Sequence, residues 1–424
     1  MHQLLKMIKK IILILLLVNS LITFAQEAPS YKFYGFVRSV YTLDSRKISS
    51  NAQELFSLYP MYRDLNASGE DLNATPSTSF TSVTTRFGFN FSIPTHFMGA
   101  TKANAKIETD FTGAPNFMIL RLRQAYTQMQ WEHSSLLVGQ TWHPMFTFGT
   151  QPLVLSQNSG ALFQPFNRSP QVRYDYLLKN IKLTAAAIYQ MQYTSAGPDL
   201  ITPTAITTTY AYQRNALFPE WYVSMEAKSE HIMVGLGGEY KTIMPNRHFT
   251  DGFGVIRLNT NVLKTPALML YGTWTSGKLI VSAKGVMGQN LSDLNLIGGY
   301  AITPDNKYIA YNSLSSFVHI NYGVVHKVGL LGAFTKNLGP SKDVPAGSNF
   351  YGFGIDNANT VSERMISNIY RITPTYSYNY ENWKLGVEFE YTNAAWGNRS
   401  ATGSIIHPER ISNTRIFAIL AYTF

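Results

Sequence analysis

The chain contains no cysteine, which excludes disulfide bonds and thiol chemistry. Its one long apolar run, Ile11–Val18, is well short of the ~20 residues that a membrane-spanning helix needs. A mean hydropathy of −0.07 also argues against a helical membrane protein. Charged residues are scarce, at 14%, and no basic run is interleaved with aromatic residues on one segment. We therefore do not expect nucleic acid as a partner.

The N-terminal segment has the features of a secretory signal peptide. Three lysines precede Ile11–Val18, and Thr23 and Ala25 offer small side chains to a signal peptidase. The alternative is a transmembrane anchor, but the apolar run is short for one. We predict that residues 1–25 are removed on export and that the mature protein starts near Gln26.

Strict alternation of apolar and polar residues predicts a β-hairpin over Thr81–Ile93 and Thr101–Thr112. One face carries residues such as Phe87 and Ile107, and the other carries residues such as Arg86 and Glu108. A soluble sandwich would bury the apolar face in a core, whereas a membrane barrel would turn it to lipid and line a wet lumen with the charges. The hairpin alone fits both.

Similar strand patterns recur to the last residue, and short connections alternate with long ones. The predicted strands are Tyr31–Leu43, Thr81–Ile93, Thr101–Thr112, Ile119–Trp131, Leu136–His143, Val172–Lys179, Ile181–Thr194, Trp221–Lys228, Ile232–Lys241, Ile256–Thr275, Leu279–Gln289, Phe317–His326, Val328–Thr335, Ile369–Asn379, Trp383–Asn393 and Thr414–Phe424. An even strand number with long loops at one end is typical of bacterial outer-membrane barrels. The fold class predicted is all-β: a transmembrane antiparallel up-and-down barrel of about sixteen strands over residues 26–424, with both termini periplasmic.

The end of the chain supports this prediction. Tyr422 and the terminal Phe424 lie on the apolar face of an amphipathic last strand. Such an ending resembles the sorting signal by which the barrel assembly machinery receives its substrates. We therefore expect localisation in the bacterial outer membrane, with membrane lipid and lipopolysaccharide as surroundings.

Charged residues on the polar faces of the strands are the candidates for lining the pore. The basic candidates are Arg38, Arg86, Lys102, Lys106, Arg173, Lys182, Arg257, Lys284, Arg371 and Lys384. The acidic candidates are Glu108, Asp110, Asp175, Glu388 and Glu390. Basic residues outnumber acidic ones, and the whole chain carries a formal charge of +10, so small anionic solutes are the expected partners. The alternative is that most of these charges solvate the lumen and pair across strands.

Two features remain open at this stage. The long loop 144–171 either folds into the barrel and narrows the pore or is an ordinary outer loop. Arg121 and Arg123 share a face with apolar residues that look outward. Either they point outward to lipopolysaccharide or another subunit, or a β-bulge turns them inward.

Several segments resemble the DcaP-like outer-membrane porins, and in particular their Bacteroidota branch. They are Leu120–Tyr126, Leu137–Pro144, Asp44–Arg46, Phe163–Arg173 and Gly69–Asp71. The motif residues are Arg121, Arg123, Gly139, Gln140, Trp142 and Pro144. The resemblance implies a sixteen-stranded trimeric barrel that admits small anions, dicarboxylates among them. Some family members carry a helical extension before the first strand, whereas here Gln26–Ser30 leads directly into Tyr31.

The function expected is that of a porin for passive diffusion of small hydrophilic solutes, with a preference for small carboxylates. One alternative is a non-conducting barrel that serves secretion or adhesion. A second is an outer-membrane enzyme such as a phospholipase, which would need Ser, His and Asn or Asp together at the lipid face. The histidines His133, His143, His319 and His326 lack metal-ligand spacing, and no Gly-x-Ser-x-Gly occurs. We therefore expect no enzyme activity, no cofactor and no metal site.

Overall fold

Sixteen antiparallel strands close into one barrel, as the sequence predicts. The computed structural model describes residues 29–51, 55–113, 119–156, 158–199, 206–250, 252–356 and 364–424, so the predicted signal peptide at 1–25 lies outside the described residues. The strands are β1 (Ser30–Asp44), β2 (Arg86–Pro94), β3 (Lys102–Gly113), β4 (Ile119–Gln130), β5 (Ser134–Trp142), β6 (Arg168–Leu178), β7 (Ile181–Ile188), β8 (Glu220–Lys228), β9 (Ile232–Ile243), β10 (Leu263–Ser276), β11 (Leu279–Gln289), β12 (Tyr308–Gly323), β13 (His326–Pro340), β14 (Arg364–Tyr380), β15 (Trp383–Arg399) and β16 (Ile405–Thr423).

The barrel closes where the first strand meets the last. β1 pairs antiparallel with β16, with Phe36 opposite Thr423, and pairs on its other side with β2. The ladder extends to the last residue, because Gly35 and Phe424 exchange two backbone hydrogen bonds of 3.0 Å. Closure leaves no unpaired edge along the barrel wall.

The two faces of each strand differ as the alternation predicts. On β1, the apolar side chains of Phe33 and Val37 are exposed on the outer surface, whereas Arg38 and Thr42 on the opposite face are buried. Aromatic residues gather near one end of the wall. The Trp383 ring packs on Tyr422 at 4.8 Å, and the ring of Phe424 stacks on Phe33 at 5.3 Å. The predicted assembly signal, Tyr422 and Phe424, thus lies on the outer surface at the seam.

Several predicted strands differ in extent from the observed ones, and two of them are interrupted. The segment predicted as Ile256–Thr275 is interrupted, because Asn259 accepts a hydrogen bond from the Asn261 backbone and turns the chain before β10. The segment predicted as Thr81–Ile93 likewise splits between a short strand, Ser77–Thr81, and β2. In contrast, β15 and β16 extend well into residues 394–413, the stretch between the predicted strands Trp383–Asn393 and Thr414–Phe424.

Long connections at one end of the barrel carry the remaining elements. They contain the short strands Ile48–Asn51, Phe56–Pro60, Ser77–Thr81, Ala196–Pro198, Ile206–Thr208, His248–Thr250, Ile256–Leu258, Gly298–Ile302, Asn349–Phe353 and Ile355–Asp356, the helix α1 (Ala211–Ala216) and the 3-10 turns Pro144–Phe146 and Ser292–Leu294. A further 3-10 turn, Phe97–Gly99, lies between β2 and β3 at the opposite end of the barrel. Within the described part of the chain, no helix is long and apolar enough to cross a bilayer.

Candidate functional site

The connection between β5 and β6, residues 143–167, lies against the inner face of the barrel, and we call it the inner loop. On β15, Glu388 accepts hydrogen bonds from the backbone N–H groups of Leu155 at 2.5 Å and Ser156 at 3.4 Å. The Arg38 guanidinium on β1 donates to the Leu155 carbonyl oxygen. The inner loop is therefore attached to strands from two parts of the wall.

A buried lysine attaches the other side of the inner loop. The Lys284 ammonium on β11 donates to the carbonyl oxygens of Met145 at 3.2 Å and Phe146 at 2.7 Å, and to the Gln164 side chain at 3.0 Å. Lys284 is only 3% exposed. It thus anchors the inner loop near both of its ends.

The first long connection also reaches the inner face, through Phe56–Pro60. Arg371 on β14 donates to the carbonyl oxygens of Ser57 at 3.2 Å and Leu58 at 2.8 Å. The Ser57 hydroxyl donates to Glu390 on β15 at 2.8 Å. Arg371 and Glu390 are consequently covered by this strand.

A β-bulge turns Arg121 and Arg123 inward, which decides the question that the sequence left open. The β3–β4 register shifts between Glu108 and Thr109, so that Gln124 also faces inward. Arg123 donates to Glu108 at 2.8 Å and to Asp110 at 2.6 Å, and Arg121 donates to Asp110 at 3.1 Å. Each acid therefore accepts a hydrogen bond from at least one inward-facing arginine.

The motif residues of β5 hold this bulge. The Gln140 side-chain amide donates to the carbonyl oxygens of Leu122 and Arg123, each at 3.2 Å. Gly139 has φ +132°, and a Cβ there would lie 2.4 Å from the carbonyl oxygen of Ala125. Only glycine fits so close to the neighbouring strand. The Gly-Gln pair thus has a physical reason to accompany the two arginines.

Five arginines line one cavity of about 220 Å³ between the wall and the inner loop. They are Arg38, Arg86, Arg121, Arg123 and Arg168, and hydroxyl groups of Thr84, Thr112, Ser156 and Ser159 join them. We call this space the arginine cavity. Glu108 and Asp110 are the carboxylates that pair with its arginines at up to 3.9 Å, so the cluster keeps an excess of positive charge.

Arg168 is the most buried of these five arginines. Its guanidinium lies over the Trp142 ring, 4.2 Å from the centroid, and near the Phe166 ring at 5.5 Å. Its Nε and Nη1 atoms have no hydrogen-bond partner among the described residues. Burial of cationic donors without acceptors is unfavourable, so these donors would be satisfied by an anion or water entering the cavity.

A second cavity of about 140 Å³ lies on the other side of Trp142, and its charges are balanced. Arg173 pairs with Asp175 at 3.1 Å, and Lys182 pairs with Glu226 at 3.1 Å. Of these two cavities, the arginine cavity is therefore the one that carries an excess of positive charge.

The structure places many, though not all, of the candidate residues on the inner face. Arg257 is wrong, because it lies in the short strand Ile256–Leu258 of an outer connection rather than on the wall. A further set lies on the inner face but is buried under loops or by partners: Lys284, Arg371, Glu388, Glu390, Glu108 and Asp110. These residues hold the structure together and do not line open space. Lys102, Lys106 and Lys384 lie on inward-facing positions of β3 and β15.

Two other segments of the family resemblance meet in the first long connection. Arg46 donates to Asp71 at 2.8 Å, and the backbone N–H groups of Asp64 and Asn73 donate to the same carboxylate, each at 3.1 Å. Burial alone would raise the pKa of Asp71, but these hydrogen bonds outweigh it and hold the pKa below its usual value. The ionised Asp71 thus joins Arg46, Asp64 and Asn73 within the first long connection.

Sequence reasoning missed Arg168 as a site residue. It lies in the segment Phe163–Arg173 that carries the family resemblance, and the aromatic residues close to it were the available signal. It also missed a buried set of acids formed by Glu220, Glu239 and Asp293. No local spacing connects those three residues.

No protein-family model matches the sequence, and no curated protein matches it. Among solved structures, the chain is similar to the outer membrane channel DcaP of Acinetobacter baumannii, with a TM-score of 0.65 and 16% identity over 94% of this chain and 98% of that one. It is also similar to OmpT, an outer membrane protein of Vibrio cholerae solved in a trimer form, with a TM-score of 0.51 and 11% identity over 94% of this chain and all of that one. At these identities the likeness concerns the fold, and the chain therefore has the closed sixteen-stranded barrel fold of these outer-membrane proteins.

Proposed function

We propose that this protein is an outer-membrane porin that admits small hydrophilic solutes and prefers anions. The observation that carries the proposal is the arginine cavity inside a closed barrel with an apolar outer surface. An arginine or lysine that faced lipid at mid-depth would be destabilising by ~2–4 kcal/mol, so the charged face belongs to the lumen. The similar DcaP structure is described as a channel, which supports the same function.

The inner loop is proposed to form the narrow part of the pore. Its contacts with Lys284, Glu388 and Arg38 hold it across the inner face at three positions. A solute that crosses the barrel would then pass close to the arginine cavity. Rings of arginine in a pore raise the local concentration of anions.

Small carboxylates are the solutes that this cavity suits. A guanidinium group can donate two parallel hydrogen bonds to one carboxylate, which adds geometric preference to charge attraction. Several guanidinium groups around one cavity could bind both ends of a dicarboxylate. The Thr84 hydroxyl group, which has no hydrogen-bond partner among the described residues, supplies a further donor.

Reversal potential in planar bilayers tests the proposal. The refolded mature chain should conduct, and a KCl gradient should show that chloride is more permeant than potassium. Added small dicarboxylates should block or carry current. A cation-selective pore would contradict the anion preference, and a barrel without conductance would favour the secretion or adhesion alternative.

Both termini are proposed to be periplasmic, with the long connections outside the cell. A tag inserted near Ala67 or Gly347 should react with a membrane-impermeant label on intact cells, because both residues lie in long connections. A tag at Asn180, in the turn between β6 and β7, should react only after the outer membrane is opened. Labelling at Asn180 on intact cells would contradict this orientation.

We also propose that the barrel forms trimers, as the family resemblance implies. The similar Vibrio OmpT was solved in a trimer form. Closed symmetry is the usual outcome of self-association. Native mass measurement in mild detergent and unheated electrophoresis should show three copies, whereas a monomer at every detergent concentration would refute the proposal.

A further inference from the structure

Three buried carboxylates meet on the inner face, outside the arginine cavity. Glu220 begins β8, Glu239 lies on β9, and Asp293 lies in the 3-10 turn Ser292–Leu294. Their exposed fractions are 1%, 5% and 0%, and one oxygen of each lies within 4.8 Å of the others. Like charges at this distance repel strongly in a buried site unless something neutralises them.

Each carboxylate uses one oxygen within the protein and leaves the other without a partner. Glu220 Oε1 accepts from Gln190 at 2.7 Å, Asp293 Oδ1 accepts from Lys241, and Glu239 Oε1 lies 3.8 Å from the Lys241 ammonium. The second oxygens, Glu220 Oε2, Glu239 Oε2 and Asp293 Oδ2, have no hydrogen-bond partner among the described residues. The contacts of Lys241 therefore leave three oxygens unsatisfied.

A buried histidine points at the same place. His143 is 1% exposed, and its Nε2 lies 3.7 Å from Glu220 Oε2 and 3.6 Å from Glu239 Oε2, too far for a hydrogen bond. Nε2 also lacks a partner within the described part of the chain. Its Nδ1 accepts from the Met145 backbone N–H at 3.3 Å, so in the neutral ring the proton is on Nε2. Because a neutral histidine adds no positive charge, the three carboxylates face one ammonium group, that of Lys241.

We propose that this cluster binds one Ca²⁺ ion through one carboxylate oxygen each of Glu220, Glu239 and Asp293. Calcium binds oxygen ligands at 2.3–2.6 Å, so two oxygens on one ion lie at most about 5 Å apart, in agreement with the cluster. Magnesium requires shorter bonds and a stricter geometry. Zinc prefers nitrogen and sulfur, and the protonated Nε2 of His143 cannot coordinate it. This nitrogen instead donates to a water on the ion.

The ion would join strands β8 and β9 of the wall to two connections, the inner loop and residues 290–307. Asp293 belongs to the connection 290–307, and the Asn167 side chain at the end of the inner loop donates to its carbonyl oxygen at 2.9 Å. His143 is the residue from which the inner loop starts. Calcium would therefore fix both ends of the inner loop to β8 and β9. This inference is independent of the ion preference of the pore.

Titration of the refolded chain tests the site. Mature protein refolded without lipopolysaccharide, in a zwitterionic detergent and after EDTA dialysis, should bind one Ca²⁺ per chain by calorimetry. Tb³⁺ should show luminescence that Ca²⁺ displaces, and Ca²⁺ should raise the melting temperature more than Mg²⁺ does. These readouts require no channel activity.

Variants locate the binding. Glu239→Gln and Asp293→Asn should lose the bound Ca²⁺ and the thermal shift. Glu226→Gln is the matched control, because Glu226 lies on the same strand as Glu220 but is satisfied by Lys182 at 3.1 Å and by the Tyr271 hydroxyl at 2.9 Å. It should bind like the natural sequence.

The proposal fails if the refolded natural chain binds no Ca²⁺, even where the variants do not fold. It also fails if infrared spectra show a protonated carboxyl group that disappears in Glu239→Gln, since protons would then neutralise the cluster. Binding that persists in both Glu239→Gln and Asp293→Asn would place the ion elsewhere.

Discussion

Replacing Arg86 and Arg121 with serine should lower the preference for chloride over potassium, in our proposal, by roughly fivefold or more. In water a unit charge about 8 Å from a passing ion contributes about 0.5 kcal/mol, so two charges contribute about 1 kcal/mol, or roughly fivefold in local anion concentration. Among the five arginines of the cavity, these two are the most exposed, with side chains 20% and 25% exposed. Asp110 keeps Arg123 as its partner, so folding should persist. The reversal potential under a KCl gradient measures the shift.

Arg63 and Arg410 provide a matched control for this experiment. Arg63 pairs with Glu409 at 2.5 Å, and Arg410 donates to Asn393 at 2.8 Å, so neither belongs to the arginine cavity. Their replacement by serine changes the net charge equally but should shift the reversal potential less. If both double variants shift it equally, selectivity depends on overall charge and not on the cavity.

Removing two of the three wall side chains that hold the inner loop, and leaving Arg38 in place, should loosen the inner loop and enlarge the pore. In Lys284→Met with Glu388→Ala, the carbonyl oxygens of Met145 and Phe146 and the N–H of Leu155 lose their partners. Each buried group left unsatisfied is destabilising by about 1–3 kcal/mol, so the inner loop should leave the wall. We expect a larger single-channel conductance, noisier current and weaker anion preference.

The control for the loop variant is Lys182→Met with Glu226→Ala. It removes the same two residue types from the lumen. Lys182 and Glu226, however, pair with each other at 3.1 Å and do not hold the inner loop. Its conductance should remain close to that of the natural chain. An unchanged conductance in Lys284→Met with Glu388→Ala would mean that the inner loop does not narrow the pore.

The barrel itself could be predicted from the sequence because alternation has a direct physical cause. Successive side chains of a strand point to opposite faces. In a wall with one face toward lipid, apolar and polar residues therefore alternate along each strand. Phe87, Phe89 and Arg86 show this on β2. The interruption at Asn259 was missed because the hydrogen bond that turns the chain there joins polar residues that also fit a strand pattern.

The orientation of Arg121 and Arg123 could not be predicted from their own strand. A bulge depends on the neighbouring strands, and here Gln140 on β5 satisfies the carbonyl groups that the bulge releases. Alternation counted along β4 alone places both arginines outside. The Gly-Gln motif was visible in the sequence, but its connection to the bulge was not.

The buried contacts between the wall and the loops could not be predicted from local sequence patterns either. Lys284 contacts Gln164, and Arg371 contacts Leu58, each far away in the sequence. Whether an inward charge lines water or lies under a loop depends on where that loop folds. The acids around His143 show the same limit, because they are contributed by separate strands and loops and lack a spacing motif.

The seam between β1 and β16 has a consequence for how the molecule is made. Phe36 and Thr423 are paired across about 390 positions of sequence, so the contact that completes the wall is among the most non-local possible. Loop-closure entropy opposes such contacts, and chains rich in them fold slowly. One edge of the first strand therefore has no partner until the last strand has been synthesised. Folding intermediates with an open seam expose apolar strands and unpaired backbone groups, so they would be prone to aggregate.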